Sequence, residues 1–230
     1  MGEADPRVVA GAALGSFAAD QADPWSDLDL MFSVAAGVPV ADVQRDWTAT
    51  LAAEFGAVQL FDLVSGPIIY RVFMFPDCLE LDLSFTPATT FRPGGPRFRL
   101  LFGEALERVD RPQAPPSELL GYAAHHVLHA RAAIERGRPW LAEYWISAIR
   151  DHGLALACRR RGLDGSYGRD FDRLPADVLA ASEAAIVRSL DVDELNRALR
   201  AVVPALLAES TDAEDLAEKV ERQLRELASA

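Results

Sequence analysis

The stretch that most constrains the fold runs from Leu14 to Phe32 and reads LGSFAADQADPWSDLDLMF. A Gly-Ser step is followed by a polar loop and then by Asp27 and Asp29, which are separated by one leucine. Because side chains alternate between the two faces of a β-strand, the pattern predicts a strand with both aspartates on one face and Leu28 and Leu30 on the other. The leucines can enter a core, so two carboxylates are expected to converge on the open face.

Two carboxylates on one face repel each other unless a cation or strong hydrogen-bond donors lie between them. Magnesium takes oxygen ligands and usually keeps waters and phosphate oxygens in its octahedral shell, so one or two protein carboxylates are enough to hold it. The step Gly15-Ser16 agrees with this, since glycine permits close backbone approach and a serine hydroxyl with nearby N–H groups can hold a phosphate oxygen. The residues therefore predict a site for magnesium and a phosphorylated ligand.

A second acidic alternation lies in Cys78 to Phe85, CLELDLSF, where leucines alternate with Glu80, Asp82 and Ser84. The pattern predicts a strand with one apolar face and one face that carries two acids. Two interpretations stand at this point. Either the acids are simply hydrated on an outward face, or Asp82 contributes a third carboxylate to the site.

The turn Gly15-Ser16 followed by Trp25 to Leu30, WSDLDL, resembles the signature of the nucleotidyltransferase superfamily, which has the DNA polymerase β-like fold. The resemblance is to its small antibiotic-modifying members, and the chain departs from them at Phe17, where arginine is common, and at Asp20, where many have glycine. It implies a third carboxylate on a neighbouring strand, either as a metal ligand or as the base that deprotonates the acceptor. Asp82 matches that position.

Two domains are expected from 230 residues, with the boundary in the proline-rich stretch Asp110 to Ser117. The predicted fold class is α+β. Residues 1–110 are predicted to form a mixed β-sheet with flanking helices, the nucleotidyltransferase catalytic domain, and residues 117–230 a helical, substrate-binding bundle. The segment Pro6 to Leu14 is apolar and is compatible with either a helix or a strand.

The C-terminal half resembles the helical domain of aminoglycoside and lincosamide adenylyltransferases, through Trp140 to Tyr144, Ile149-Arg150 and Arg169 to Pro175. This resemblance implies a small-molecule acceptor. Glu143 lies among aromatic residues and could hold an ammonium group of the substrate or act as a base; alternatively it pairs with an arginine inside the bundle. We assign Glu143 to substrate binding.

His125 and His129 lie one helical turn apart, which suggests a metal site. Zinc normally needs a third and a fourth ligand, and the sequence marks none. A packed or partly exposed helix histidine is therefore the preferred interpretation.

The formal net charge of −12 opposes binding to a phosphate backbone, so no long nucleic acid is expected as a partner. No apolar run approaches the roughly 20 residues that cross a bilayer, and the N-terminus lacks a signal-peptide pattern, so no membrane partner and a cytoplasmic location are predicted. The two cysteines are too few and too isolated for a zinc motif. The sequence leaves the oligomeric state open.

Taken with the resemblance, these residues predict a metal-dependent transfer of AMP from ATP to a hydroxyl of a small molecule, by analogy an aminoglycoside-like antibiotic whose modification confers resistance. Two magnesium ions would be held by Asp27, Asp29 and Asp82, and Gly15-Ser16 would hold the triphosphate. Two alternatives remain. The acceptor is a protein or an RNA end, or the chain is a non-catalytic nucleotide-binding module.

Overall fold

The computed structural model describes residues 1–66, 68–109 and 114–230. The chain divides into two compact units, Met1–Pro112 and Gln113–Ala230. The first four residues of the predicted boundary segment, 110–113, lie outside the described residues.

The first unit is a six-stranded mixed sheet with helices. Its elements are β1 (Val8–Leu14), α1 (Gly15–Ala18), β2 (Leu28–Val34), α2 (Val40–Phe55), β3 (Val58–Ser65), β4 (Ile68–Met74), β5 (Glu80–Pro87) and β6 (Phe98–Phe102). The strand order is β3-β4-β5-β2-β1-β6, in which β2 and β5 are parallel and the other neighbours are antiparallel. The N-terminal segment that the sequence left undecided is the strand β1.

Helix α2 covers one face of this sheet. Val43, Trp47 and Leu51 recur at helical spacing and are buried against the apolar side chains of β2, β4 and β5. The helix ends at Gly56, whose φ of +67° is the left-handed conformation that closes many helices. Because α2 occupies the face to which Leu28 and Leu30 point, the aspartates of the first motif lie on the other face.

A polar network ties the N-terminus of the first unit to α2. The Asp5 carboxylate accepts hydrogen bonds from Arg7 Nε at 3.0 Å and Arg7 Nη2 at 2.8 Å, and from the Trp47 indole Nε1 at 2.8 Å. The hydrogen bonds from Arg7, together with that from Trp47, hold the pKa of Asp5 well below its usual range. Asp5 therefore stays ionised and anchors a tryptophan of the core.

Replacing Asp5 with alanine is expected to destabilise the first unit by about 2 kcal/mol, because the buried indole N–H loses its acceptor. The depressed pKa means that Asp5 stabilises the fold above about pH 4 and that this contribution is lost as the pH falls further. Amide hydrogen exchange of α2 at pH 7 and near pH 3 measures both effects. Asp46→Asn removes a half-exposed carboxylate that pairs with Arg7 and Arg45 but leaves the hydrogen bond between Asp5 and Trp47 in place, so it should alter exchange little. Equal protection in parent and Asp5→Ala would contradict this assignment.

The second unit is helical, as predicted. Its elements are α3 (Pro116–Glu135), α4 (Pro139–Arg160), α5 (Ala176–Glu183), α6 (Val192–Ala208) and α7 (Glu214–Ser229). One core joins α3, α4, α6 and α7, with Leu120, Ile146, Leu199 and Leu206 among its fully buried side chains. The predicted α+β class, a mixed sheet with helices followed by a helical bundle, is confirmed. Within the described ranges, no helix has both the length and the apolar character that crossing a membrane requires.

Candidate active site

The parallel pairing of β2 with β5 brings two aspartates side by side. Asp29 of β2 lies directly opposite Asp82 of β5, and Leu28 lies opposite Leu81. Since opposite residues of paired strands point to the same face, both carboxylates stand on the face that α2 leaves uncovered. Strand β5, which was predicted from the alternation in Cys78 to Phe85, is thus the direct neighbour of β2, which carries Asp29.

Asp27 joins this pair from the turn that precedes β2. That turn is held by Asp23, whose Oδ1 accepts hydrogen bonds from the Trp25 amide at 2.9 Å and from Ser26 Oγ at 3.0 Å. Asp27, Asp29 and Asp82 each offer a carboxylate oxygen, and the three oxygens lie within 4.8 Å of one another. The structure therefore gathers the three aspartates that the sequence singled out, one exposed and two half-buried.

Asp82 is half-buried and has an apolar neighbour. On the β4 side it is flanked by Val72, which is only 4% exposed and lies directly opposite it. This burial raises the pKa of the Asp82 carboxyl, and the charges of Glu80 and Asp27 raise it further. Its Oδ1 is buried and has no hydrogen-bond partner among the described residues. Val72 was not identified from the sequence, because only the pairing of β4 with β5 places it there.

The Gly-Ser step lies against the same group. Gly15 has φ +58°, and a Cβ atom at this position would lie 2.1 Å from Asp29 Oδ2. Glycine is required here for two reasons, the left-handed backbone and the close approach of the carboxylate. The hydroxyl of Ser16 is buried and, within the described part of the chain, has no hydrogen-bond partner.

The donor set fits a divalent cation. Three carboxylates within one ion's reach repel each other, and carboxylate oxygens are the ligands that magnesium prefers. Among the described residues, Asp82 Oδ1 and Ser16 Oγ have no hydrogen-bond partner, although proteins normally satisfy buried polar atoms. A metal ion with its phosphate ligand would supply partners to such atoms. Asp27, Asp29 and Asp82 are the residues that could hold the ion.

The loop between α1 and β2 is tethered to the edge strand β6. Asp20 has φ +54°, which non-glycine residues adopt rarely, and its Oδ1 pairs with Arg99 Nη1 at 2.6 Å. Arg99 lies opposite Ala13 on β1, on the face away from the aspartates. The ion pair with Arg99 therefore holds the loop from the face of the sheet opposite to the three aspartates.

At Asp20 we expect alanine and glycine to differ in their effect on stability. Asp20→Ala loses the ion pair and places at φ +54° a residue that tolerates the left-handed conformation less well than aspartate does, so it should lower the free energy of unfolding by about 1 kcal/mol. Asp20→Gly loses the same ion pair but relieves the backbone, and should be close to neutral because exposed ion pairs contribute little. Thermal unfolding of both variants measures the difference. Equal losses of stability in the two variants would show that the ion pair with Arg99, and not the left-handed backbone, determines the contribution of Asp20.

Glu143, the residue predicted to bind substrate, belongs to the second unit. It lies on α4, where its Oε1 accepts a hydrogen bond from Ser147 Oγ at 2.7 Å. Among the described hydrogen bonds and ion pairs it has this serine and no arginine, so the alternative pairing with an arginine is absent there.

Comparison with solved structures finds structural likenesses to known proteins. The chain is similar to the crystal structure of an aminoglycoside 6-adenyltransferase from Bacillus subtilis, with a TM-score of 0.43 and 12% sequence identity, over 100% of this chain and 95% of that chain. No protein-family model and no curated protein matches the sequence. Because the TM-score and the sequence identity are low, the function is inferred from the residues of the site alone.

Proposed function

We propose that the protein is a metal-dependent nucleotidyltransferase that moves AMP from ATP to a hydroxyl group of a small molecule. The observation that carries the proposal is the convergence of Asp27, Asp29 and Asp82, whose carboxylate oxygens lie within 4.8 Å of one another. Such a group concentrates negative charge where a triphosphate must also bind, and a divalent cation between them would offset the repulsion. Nucleotidyl transfer is a reaction that needs this arrangement.

Each residue has a role in this proposal. Asp27 and Asp29 would hold magnesium, two ions in the complete site, and Gly15 with Ser16 would place backbone N–H groups and a hydroxyl beside the triphosphate. Magnesium, when bound, would neutralise the triphosphate and stabilise the departing pyrophosphate. Asp82 would either complete the metal site or accept the proton of the acceptor hydroxyl.

The reaction is a single displacement at the α-phosphorus. The acceptor oxygen forms a bond to this phosphorus, the bond between the α-phosphorus and its bridging oxygen to the β-phosphate breaks, and pyrophosphate leaves with that oxygen. The hydroxyl proton passes to Asp82 or to solvent. Positioning and charge stabilisation supply most of the acceleration in such a step, and the chain contributes them through the rigid pair β2–β5 and the turn at Gly15.

The division of labour between the units is part of the proposal. The first unit carries the aspartates and the Gly-Ser turn, so we assign catalysis to it. The helical second unit would bind the acceptor, with Glu143 as a carboxylate for an ammonium group. An amine-bearing acceptor such as an aminoglycoside would also be favoured by the net charge of −12.

Calorimetric titration of ATP with magnesium into the parent protein and into an Asp27→Ala/Asp29→Ala variant tests the nucleotide site. A screen for pyrophosphate release against aminoglycosides and lincosamides then tests the acceptor. We expect magnesium-dependent binding that the double variant loses, and release with one antibiotic class. Binding without release would move the search to other hydroxyl acceptors, and an absence of magnesium-dependent binding would overturn the proposal in favour of a non-catalytic module.

A further inference from the structure

All four histidines of the chain lie together in the second unit. His125, His126 and His129 are on α3, and His152 of α4 joins them only through the packing of the two helices. The ring centroids of His126 and His152 are 5.1 Å apart, and those of His125 and His129 are 4.2 Å apart. The cluster therefore contains an inner pair that bridges the helices and an outer pair on one helix.

The outer pair is accessible and partly held in place. His125 and His129 are both exposed and lie one helical turn apart, so their side chains project from the same strip of α3. The ring of His129 also stacks on the indole of Trp145, with centroids 5.0 Å apart and an interplanar angle of 30°. This contact orients one imidazole of the pair before any ligand binds.

The separation of the two rings matches a two-point metal chelate. Metal–nitrogen bonds to imidazole are about 2.0–2.1 Å long. With a nitrogen–metal–nitrogen angle of about 90°, two bound imidazoles have their ring centroids about 4.5 Å apart, and with a tetrahedral angle about 5 Å apart. The observed 4.2 Å is nearer the right angle. Right-angled coordination by nitrogen is characteristic of Cu²⁺ and Ni²⁺, and Cu²⁺ binds most strongly in the divalent first-row series.

We propose that His125 and His129 form a binding site for one Cu²⁺ or Ni²⁺ ion, with solvent water completing its coordination shell. The inner pair is excluded from this site by its packing. His126 lies against Trp145 at 4.8 Å and against His152, and its Nδ1 is buried. The site also differs in kind from the aspartate cluster of the first unit, since imidazole suits late transition metals and carboxylates suit magnesium.

The test uses the full chain with Cys78→Ser as the parent, because Cys78 is an exposed thiol that would react with Cu²⁺. Calorimetric titration with NiCl₂ is done in excess magnesium, which occupies carboxylate sites. Binding of one Ni²⁺ per chain in the micromolar range is expected, and either His125→Ala or His129→Ala should weaken it about tenfold or more. His152→Asn is the matched control, since it removes a histidine of the same cluster from outside the pair, and it should leave the affinity within about twofold.

Copper gives two independent readouts of the same site. The electron paramagnetic resonance spectrum of the Cu²⁺ complex should show coupling to two imidazole nitrogens, and His129→Ala should reduce this to one. Cu²⁺ should also quench the fluorescence of Trp145 through its contact with His129, reversibly on addition of EDTA. The proposal is overturned if His125→Ala and His129→Ala bind Ni²⁺ as the parent does, or if His152→Asn weakens binding as strongly as they do. Circular dichroism of each variant, all at exposed or half-buried positions, verifies folding.

Discussion

Replacing Asp29 with asparagine is expected to abolish magnesium-dependent ATP binding and to lower the rate of pyrophosphate release by on the order of 10³-fold or more. Asparagine preserves the size of the side chain, so the contact with Gly15 and the pairing of β2 with β5 should persist. What changes is the charge, since one of three carboxylates becomes a neutral amide that holds a divalent cation less well. The loss therefore measures the electrostatic contribution of this carboxylate.

Glu80→Gln is the matched control for this experiment. Glu80 is an acid of the same strand as Asp82, two residues away, and it is exposed and not one of the three gathered carboxylates. Its loss should change the rate by no more than about threefold, because Glu80 lies outside the three gathered carboxylates and its charge only adds to a pKa of Asp82 that burial already raises. Comparable losses in Asp29→Asn and Glu80→Gln would contradict the assignment of the site to the three aspartates.

Asp82→Asn separates the two roles left open for this residue. If Asp82 accepts the acceptor proton, the variant should bind ATP with magnesium as the parent does while pyrophosphate release falls steeply. If it is a metal ligand, binding and release should weaken together.

Gly15→Ala is expected to lower the rate by about 10²-fold or more while costing only about 1–2 kcal/mol of stability. The added methyl group would lie 2.1 Å from Asp29 Oδ2, so the carboxylate must move away from its neighbours. Part of the stability loss comes from the left-handed backbone at φ +58°, which disfavours any residue with a Cβ atom. The large effect on rate and the small effect on folding distinguish a displaced carboxylate from a collapsed fold.

Gly37→Ala provides the comparison for this substitution. Gly37 also has a positive φ, +82°, but a Cβ atom there would meet nothing within 4 Å. It should therefore show a similar loss of stability in thermal unfolding with little change in rate. If both glycine variants lose activity equally, backbone strain and not the contact with Asp29 is responsible.

The sequence predicted the parts of the fold that depend on local periodicity. Strand β2 follows from the alternation of aspartate and leucine, and strand β5 follows from the alternation of leucines with Glu80, Asp82 and Ser84. These predictions succeed because one buried face is enough to determine both the element and its orientation. The segment of β1 remained ambiguous, since a short apolar run fits a helix as well as a strand until its partners are known.

The site was predictable only as far as residue types and the family resemblance allow. Asp27 and Asp29 are close in sequence, so their convergence needs only the start of strand β2 and the turn before it; the predicted strand was one residue too long, because Asp27 lies in that turn. Asp82 was assigned by resemblance, and its position depends on a parallel pairing between strands some fifty residues apart, which no local pattern encodes. The burial of Asp82 beside Val72 requires a third strand, β4, and was not foreseeable.

The sequence alone thus determined the strand that carries Asp29 on its open face directly after Asp27, the Gly-Ser step before it and the helical character of the C-terminal half. These are properties of neighbouring residues and of their preference for water or for a core. The tertiary structure alone decided that Asp29 lies opposite Asp82, that the Asp29 carboxylate approaches Gly15, and that His152 joins the three histidines of α3. The reason is physical: hydrogen bonding between distant strands and packing between helices select one arrangement among many that the same local patterns permit.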